Sequence, residues 1–236
     1  MKYLKPHYLF IAAFSATIII FLYPLVSMRA SFLFGDAFVQ FYPWFKVYSD
    51  AIKSFSFPYW VSSMGIGFPL IAEGQIGGYY PLNIMFFFML PFKIAYNYSI
   101  IAHFILGGVF TYVYARRLGA DQLGGYLAAL LFCFGSAYAG CLSNIATLRT
   151  LVWFPLVLLL LDLYLEKEKV KYIIFAGLIA GIQFLAGAIQ MAAYSMFFYA
   201  AYIACRSFSY KGSMKKAISG SIIFIITAFF VALPQV

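Results

Sequence analysis

Residues 94–115 read IAYNYSIIAHFILGGVFTYVYA and lie between Lys93 and Arg116 without a single charged side chain. A helix needs about 20 predominantly apolar residues to cross the hydrocarbon core of a bilayer, so this stretch predicts a membrane-spanning helix. The composition agrees, because only 10% of the 236 residues are charged, whereas a soluble domain has about 25% charged residues. The sequence therefore excludes a soluble globular enzyme, a disordered chain and a typical nucleic-acid-binding domain.

Further apolar runs also have the composition of membrane spans. They are residues 7–28, 123–138, 150–165, two short helices within 172–205 that meet at Gly187, and 217–233. Residues 81–92 are apolar but short, and we expect them to lie in the interface or to cross only half of the bilayer. The sequence predicts an all-α polytopic membrane protein with about seven spans, forming a single transmembrane domain over residues 1–236.

The distribution of basic residues predicts the orientation. If residues 81–92 do not cross, eleven of the 16 Lys and Arg residues fall on one side, and the positive-inside rule places that side in the cytoplasm. The N-terminus is then cytoplasmic, the loop 28–80 is extracytoplasmic, and the charged turns are expected to be solvated. The net charge of +9 indicates orientation and contact with anionic membrane lipid rather than with nucleic acid.

The long loop 28–80 contains an amphipathic helix by its spacing. Apolar residues recur at Phe45, Tyr48 and Ile52, while the opposite side carries polar residues, namely Lys46, Ser49, Asp50 and Lys53. Such a helix is expected to lie flat on the outer leaflet.

Asp36 follows Gly35 near the outer end of the first span, within an apolar run. We expect its carboxylate to be partly desolvated, which makes it a candidate general base; a helix cap or surface role is the alternative. Gln40 shares its helical face. Glu73 is a second carboxylate that could bind a divalent metal together with Asp36. Arg149 lies at the outer end of two spans and is either a bidentate phosphate ligand or an interfacial anchor.

Several other side chains have two interpretations each. Aromatic residues of the loop either stack on sugar rings or form an interfacial belt; they are Tyr42, Trp44, Trp60, Tyr79 and Tyr80. His103, in the middle of a predicted span, is either functional or a neutral side chain bonded to a neighbouring helix. Gln183 and Gln190 are expected to form interhelical hydrogen bonds or to line a cavity. The pair Gly107-Gly108 indicates close helix packing.

Several stretches, taken in their order along the chain, resemble YfhO-like bacterial membrane proteins. The matching stretches are residues 35–44, 65–69, 73–83, 115–119, 153–156 and 183–190. That family is similar in architecture to the C-type glycosyltransferases, which take a sugar from a polyprenyl-phosphate carrier on the outer leaflet. Members are usually longer, so we expect this chain to be truncated at its C-terminus. Residues 188–189 also depart from the family pattern before Gln190.

The resemblance implies a glycosyltransferase of the bacterial plasma membrane, acting with inversion on the extracytoplasmic side. Its donor would be a polyprenyl-phosphate-linked sugar, its acceptor an envelope polymer such as teichoic acid or a lipid, and its metal Mg or Mn if one is used. Asp36 takes the catalytic position, and Arg149 would bind the donor phosphate. The candidate substrate-binding residues are Gln40, Tyr42, Trp44, Glu73, Tyr80 and Gln190. A transporter or lipid flippase and a non-catalytic envelope-assembly subunit are the alternatives.

Overall fold

The computed structural model describes residues 8–209 and 214–235, and within these ranges the protein is all-helical, with only an isolated bridge between Val61 and Phe68. The α-helices are α1 (Tyr8–Phe21), α2 (Tyr23–Val26), α3 (Tyr42–Lys53), α4 (Pro81–Met89), α5 (Phe92–Arg117), α6 (Gln122–Phe134), α7 (Ser136–Ala139), α8 (Ile145–Leu151), α9 (Phe154–Lys167), α10 (Val170–Leu185), α11 (Ile189–Ser209) and α12 (Met214–Ala232). A π-helical turn, Ala37–Phe41, leads into α3, and a 3₁₀ turn, Gly140–Ser143, precedes α8.

Three helical stretches are long and apolar enough to cross a membrane, and they are Phe92–Arg117, Gln122–Ser143 and Ile145–Lys167. Shorter apolar helices accompany them at Ala12–Phe21, Val170–Leu185 and Ala217–Ala232. The fold is therefore that of an all-helical membrane protein, as the apolar runs predicted. The number of spans, seven, stays a prediction.

Two predicted interruptions of the apolar runs are present. Gly187 separates α10 from α11 and has a positive φ of 114°. A Cβ atom there would lie 2.5 Å from the carbonyl oxygen of Gln75, so both the backbone conformation and the close approach require glycine. Helix α4 has 9 residues, which corresponds to about 14 Å of helix. It is too short to cross a bilayer.

The apolar face of α3 is buried, but it faces the protein rather than the membrane surface that we expected. Phe45 stacks on Phe87 of α4, with ring centroids 4.8 Å apart and an interplanar angle of 3°. Tyr48 and Ile52 are buried in the same core. Ser49, expected on the polar side, is also buried and donates a hydrogen bond to the Phe87 carbonyl at 3.3 Å. The difference arises because α4 covers this side of α3.

Glycines allow the helices to pack closely, as the Gly107-Gly108 pair predicted. A Cβ atom on Gly108 would lie 2.0 Å from the ring of Phe14 in α1. Gly177 and Gly181 of α10 contact α12 in the same way, with added Cβ atoms only 2.7 Å and 2.4 Å from its side chains. Small residues at such positions are typical of helix interfaces in membranes.

The ends of α5, α9 and α11 are joined by an ion-pair network that contradicts the expected solvated charges. Asp162 is 1% exposed and accepts hydrogen bonds from Arg117 Nε at 2.8 Å and from Arg206 Nη2 at 2.8 Å. Tyr202 donates a third at 3.1 Å, and Arg117 also contacts Glu166. The sequence placed these residues near predicted turns, whereas the helices continue and bring them together.

Candidate functional site

The buried guanidinium of Arg149 is the centre of the candidate site. Asn144 caps α8 by accepting a hydrogen bond from the backbone of Thr147 at 3.0 Å, and the short helix that follows carries Arg149 to the inside, where it is 1% exposed. Its Nη2 donates to Ser99 Oγ on α5 at 2.9 Å. The guanidinium carbon lies 4.2 Å from the ring centroid of Phe45 and 5.8 Å from that of Phe87.

Arg149 has no anionic partner among the residues that the structure describes. Its Nε atom is buried and makes no hydrogen bond. Burial of an uncompensated charge costs several kcal/mol. A contact between a desolvated cation and an aromatic face stabilises by about 2 kcal/mol, which does not offset that cost. The site therefore lacks a negative charge, and a phosphate or carboxylate group of a ligand is the chemistry that would supply it.

A hydrogen-bonded chain beside Arg149 fixes the tautomer of His103. Trp153 Nε1, which can only donate, bonds to Tyr80 Oη at 3.0 Å. The Ser99 carbonyl can only accept, so the ring proton of His103 is on Nδ1 and is donated to that carbonyl. His103 Nε2 therefore accepts a hydrogen bond from the Tyr80 hydroxyl at 2.8 Å. The prediction that His103 bonds to a neighbouring segment is confirmed. The series of hydrogen bonds ends at Ser99, whose hydroxyl accepts the hydrogen bond from Arg149.

Tyr80 is buried rather than exposed for stacking on a sugar ring. Its ring packs edge-on against Trp153 at 82°, and burial raises the pKa of the Tyr80 phenol above its ordinary value. Tyr80 therefore remains a hydrogen-bond donor at neutral pH. Its role in this structure is to connect the start of α4 to α5 and to the start of α9.

Asp36 lies at the start of the π-helical turn and is exposed, with no capping hydrogen bond from its side chain. The protein does not cover the carboxylate, because its apolar neighbours Phe34 and Phe38 are themselves exposed, and the partial desolvation of Asp36 stays a prediction. Gly35, with a positive φ of 56°, lies beside Ser143, and its added Cβ would be 3.4 Å from the Ser143 Cβ. Asp36 is thus near the 3₁₀ turn that precedes α8.

Gln40 and Glu73 are linked through Gln75, which the sequence analysis missed. Gln75 donates to both carboxylate oxygens of Glu73, at 2.6 Å through Nε2 and 2.9 Å through its backbone. Gln40 Nε2 is 3.5 Å from Gln75 Oε1. Burial raises the pKa of Glu73 although these hydrogen bonds oppose the shift.

The metal site formed by Asp36 and Glu73 stays a prediction. The described segments contain no group of three or more His, Cys, Asp or Glu side chains placed to hold a metal ion.

The other candidate residues are dispersed. Tyr42 packs edge-on against Phe92 and Tyr96, at centroid distances of 4.8 Å and 5.0 Å. Trp44 stacks on Phe68 at 5.2 Å. These rings take part in the loop core rather than in an open stacking surface.

Two glutamines differ in their surroundings. Gln183 bonds to Ser195 at 3.1 Å and accepts from Tyr199 at 2.9 Å, which confirms its predicted interhelical role. Gln190 is exposed and bonds to Tyr194 of its own helix at 2.7 Å.

Two aromatic candidates remain partly accessible. Trp60 is 61% exposed, and the Tyr79 hydroxyl lies 3.3 Å from that of Tyr59.

Comparisons with protein-family models, with curated proteins and with solved structures find no match to this chain.

Proposed function

We propose that this chain is a membrane glycosyltransferase that moves a sugar from a polyprenyl-phosphate donor to a cell-envelope acceptor. The observation that carries the proposal is the uncompensated charge of Arg149, a buried guanidinium with a free Nε donor. A guanidinium binds a phosphate in a bidentate manner, and stabilisation of a leaving phosphate is the main electrostatic requirement of transfer from such a donor.

Asp36 takes the part of the general base. Its carboxylate is exposed and can accept the proton of an acceptor hydroxyl without prior displacement of a protein partner. The proposal includes seven spans, a cytoplasmic N-terminus and an extracytoplasmic loop 28–80 in a bacterial plasma membrane. The proximity of Gly35 to Ser143 supports a common side for Asp36 and the start of α8.

A transporter would need polar groups free to line a path. The sequence offered His103, Gln183 and Gln190 for that role. His103 and Gln183 are buried and have polar atoms bonded to neighbouring segments, and the exposed Gln190 bonds to Tyr194 of its own helix. This observation favours the glycosyltransferase over the transporter.

Binding of undecaprenyl phosphate to the purified protein tests the role of Arg149, with undecaprenol as the uncharged comparison. We expect the phosphate, but not the alcohol, to raise the unfolding temperature of the wild type, and Arg149→Met to lose this response. Arg29→Met is the matched control, because Arg29 is exposed and its guanidinium lies over the Tyr23 ring. Equal responses of the two variants would refute the phosphate site.

Transfer itself is tested in proteoliposomes with labelled polyprenyl-phosphate sugars and envelope acceptors. We expect Asp36→Asn to fold and to bind undecaprenyl phosphate as the wild type does, but to abolish transfer. Retained transfer in this variant would remove Asp36 from the mechanism.

A further inference from the structure

The short segment that carries Arg149 is attached to α5 at two points. Arg149 Nη2 donates to Ser99 Oγ at 2.9 Å, and Trp153 Nε1, four residues later, donates to Tyr80 Oη at 3.0 Å. The Tyr80 hydroxyl in turn donates to His103 Nε2 at 2.8 Å. Ser99 and His103 are also four residues apart, on α5, so they share one face of that helix, about 6 Å apart along its axis. The two attachment points therefore match in spacing.

The Ser99 hydroxyl accepts at the guanidinium because its own proton is used elsewhere. It donates to the Tyr96 carbonyl of the preceding turn at 2.9 Å, which leaves an oxygen lone pair for Arg149 Nη2. Ser99 and Arg149 are 0% and 1% exposed, so water does not compete for this bond. Because a guanidinium is planar and its donors have fixed directions, the bond at Nη2 limits where Nε, which makes no hydrogen bond, can point.

We propose that Ser99 is a positioning residue for Arg149, because it holds Nη2 and leaves the unbonded Nε to donate to the phosphate of the ligand. Tyr80, which immediately precedes α4, is a second positioning residue. It acts from the loop, through its hydroxyl, by joining Trp153 to His103. This inference rests on the proposed function, because the phosphate is the ligand that Arg149 is positioned for.

Positioning affects affinity because a donor that is already held in place loses little side-chain freedom when the ligand binds. Release of Arg149 from Ser99 would add that entropic cost, which for one long side chain weakens binding by about two- to tenfold. A ligand that lacks the phosphate makes no use of the guanidinium, so its affinity should not change. The comparison of a phosphate with an alcohol therefore isolates the positioning effect.

The affinity of the purified protein for undecaprenyl phosphate tests the role of Ser99, with undecaprenol as the uncharged comparison. Affinity is measured from the rise of the unfolding temperature with ligand concentration. We expect Ser99→Ala to bind the phosphate about two- to tenfold more weakly and the alcohol as the wild type does. Ser207→Ala is the matched control, because Ser207 is also buried and its hydroxyl donates to the Ile203 carbonyl of its own helix at 2.6 Å.

Two results for Ser99→Ala would overturn its positioning role. If Ser99 were only structural, the unfolding temperature without ligand would fall, but the rise produced by the phosphate would equal that of the wild type. Tighter binding of the phosphate would mean that the Ser99 hydroxyl competes with the ligand for the guanidinium instead of preparing it.

Undecaprenyl phosphate carries no sugar, so Tyr80→Phe separates positioning from sugar stacking. The variant keeps the ring, which packs edge-on against Trp153 at 82°, and removes the hydroxyl alone. We expect a phosphate affinity that is lower by about two- to threefold. Because both residues hold one segment, the double variant with Ser99→Ala should lose less than the product of the two single losses. An unchanged affinity of Tyr80→Phe, or losses that multiply fully, would overturn the role of Tyr80.

The same measurements separate this inference from the proposed function. If the wild type does not prefer the phosphate to the alcohol, both are overturned. If the wild type prefers the phosphate and Arg149→Met does not, while Ser99→Ala and Tyr80→Phe respond as the wild type does, the phosphate site stands and the positioning roles are overturned.

Discussion

Replacement of Asp162 by asparagine tests how much the buried ion-pair network contributes to the free energy of unfolding, compared with an exposed ion pair. The carboxylate is 1% exposed, whereas its partners Arg117 and Arg206 are 20% and 33% exposed. Asp162→Asn keeps the size of the side chain and removes the charge that holds both guanidinium groups. Two helices, α5 and α11, then lose their common anionic partner on α9.

The magnitude follows from burial. Loss of one partner of a buried pair costs about 3–5 kcal/mol because the other charge remains uncompensated. Arg117 keeps its contact with Glu166, and Arg206 is one third exposed, so water replaces part of the lost bonding. We therefore expect a loss of about 3 kcal/mol, which corresponds to an unfolding temperature lower by about 6–12 °C for a chain of this size.

Asp50→Asn is the matched control. Asp50 pairs with Lys46 at 2.6 Å, but the two side chains are 60% and 53% exposed, and such pairs contribute about 0–1 kcal/mol. Unfolding of both variants is measured in the same detergent. Equal stabilities for Asp162→Asn and Asp50→Asn would refute the reasoning. A double-mutant cycle with Arg206→Gln isolates the pairwise coupling, which we expect to exceed 1 kcal/mol as an order of magnitude.

Two further predictions concern Gly187, which lies between α10 and α11 and contacts the loop 28–80, and Glu73 within that loop. Gly187→Ala should destabilise the fold by about 1–3 kcal/mol, because alanine is strained at this φ and its Cβ meets the Gln75 carbonyl. Gly140→Ala is the control and should be neutral, because nothing lies within 4 Å of the added Cβ. Equal unfolding temperatures for the two variants would contradict the prediction. Burial raises the pKa of Glu73 from its ordinary value of 4.5, so the folded state binds more protons than the unfolded state. The free energy of unfolding therefore falls as the pH rises from 4.5 through the raised pKa of the folded state. Glu73→Gln should remove this pH dependence, so the free energy of unfolding of the variant, relative to that of the wild type, should increase from about pH 4 to about pH 7. A difference in free energy that stays constant over this range would refute the prediction.

The sequence predicted the helical membrane fold because apolar runs are a local signal. Residues 94–115 contain no charge, and α5 spans them from Phe92 to Arg117. The break at Gly187 was also predictable, since one residue marks it in the sequence. The partner of the apolar face of α3 was not, because burial against α4 and insertion into lipid demand the same spacing of Phe45, Tyr48 and Ile52.

The candidate site was predicted in its residue types but not in its arrangement. Arg149 carried a signal because a lone cation near the end of a span has few explanations. Ser99 and Gln75 carried none, since their roles depend on contacts between residues far apart in the chain. The sequence predicts either sugar stacking or an interfacial belt for Tyr80, whereas Trp153, 73 residues later, donates to its hydroxyl. Such long-range pairs cannot be read from periodicity or spacing.

Asp36 and Arg149 differ in their exposure, and this constrains the proposed reaction. Asp36 is exposed between Phe34 and Phe38, whereas Arg149 is covered by the rings of Phe45 and Phe87. The covering rings belong to α3 and α4, while Arg149 and its partner Ser99 belong to α8 and α5. For the donor phosphate to contact Arg149, the rings must separate from the guanidinium. The proposed reaction therefore requires the guanidinium and the two rings to part, and the charge-assisted bond to phosphate, which is stronger than the cation–π contact, would replace that contact.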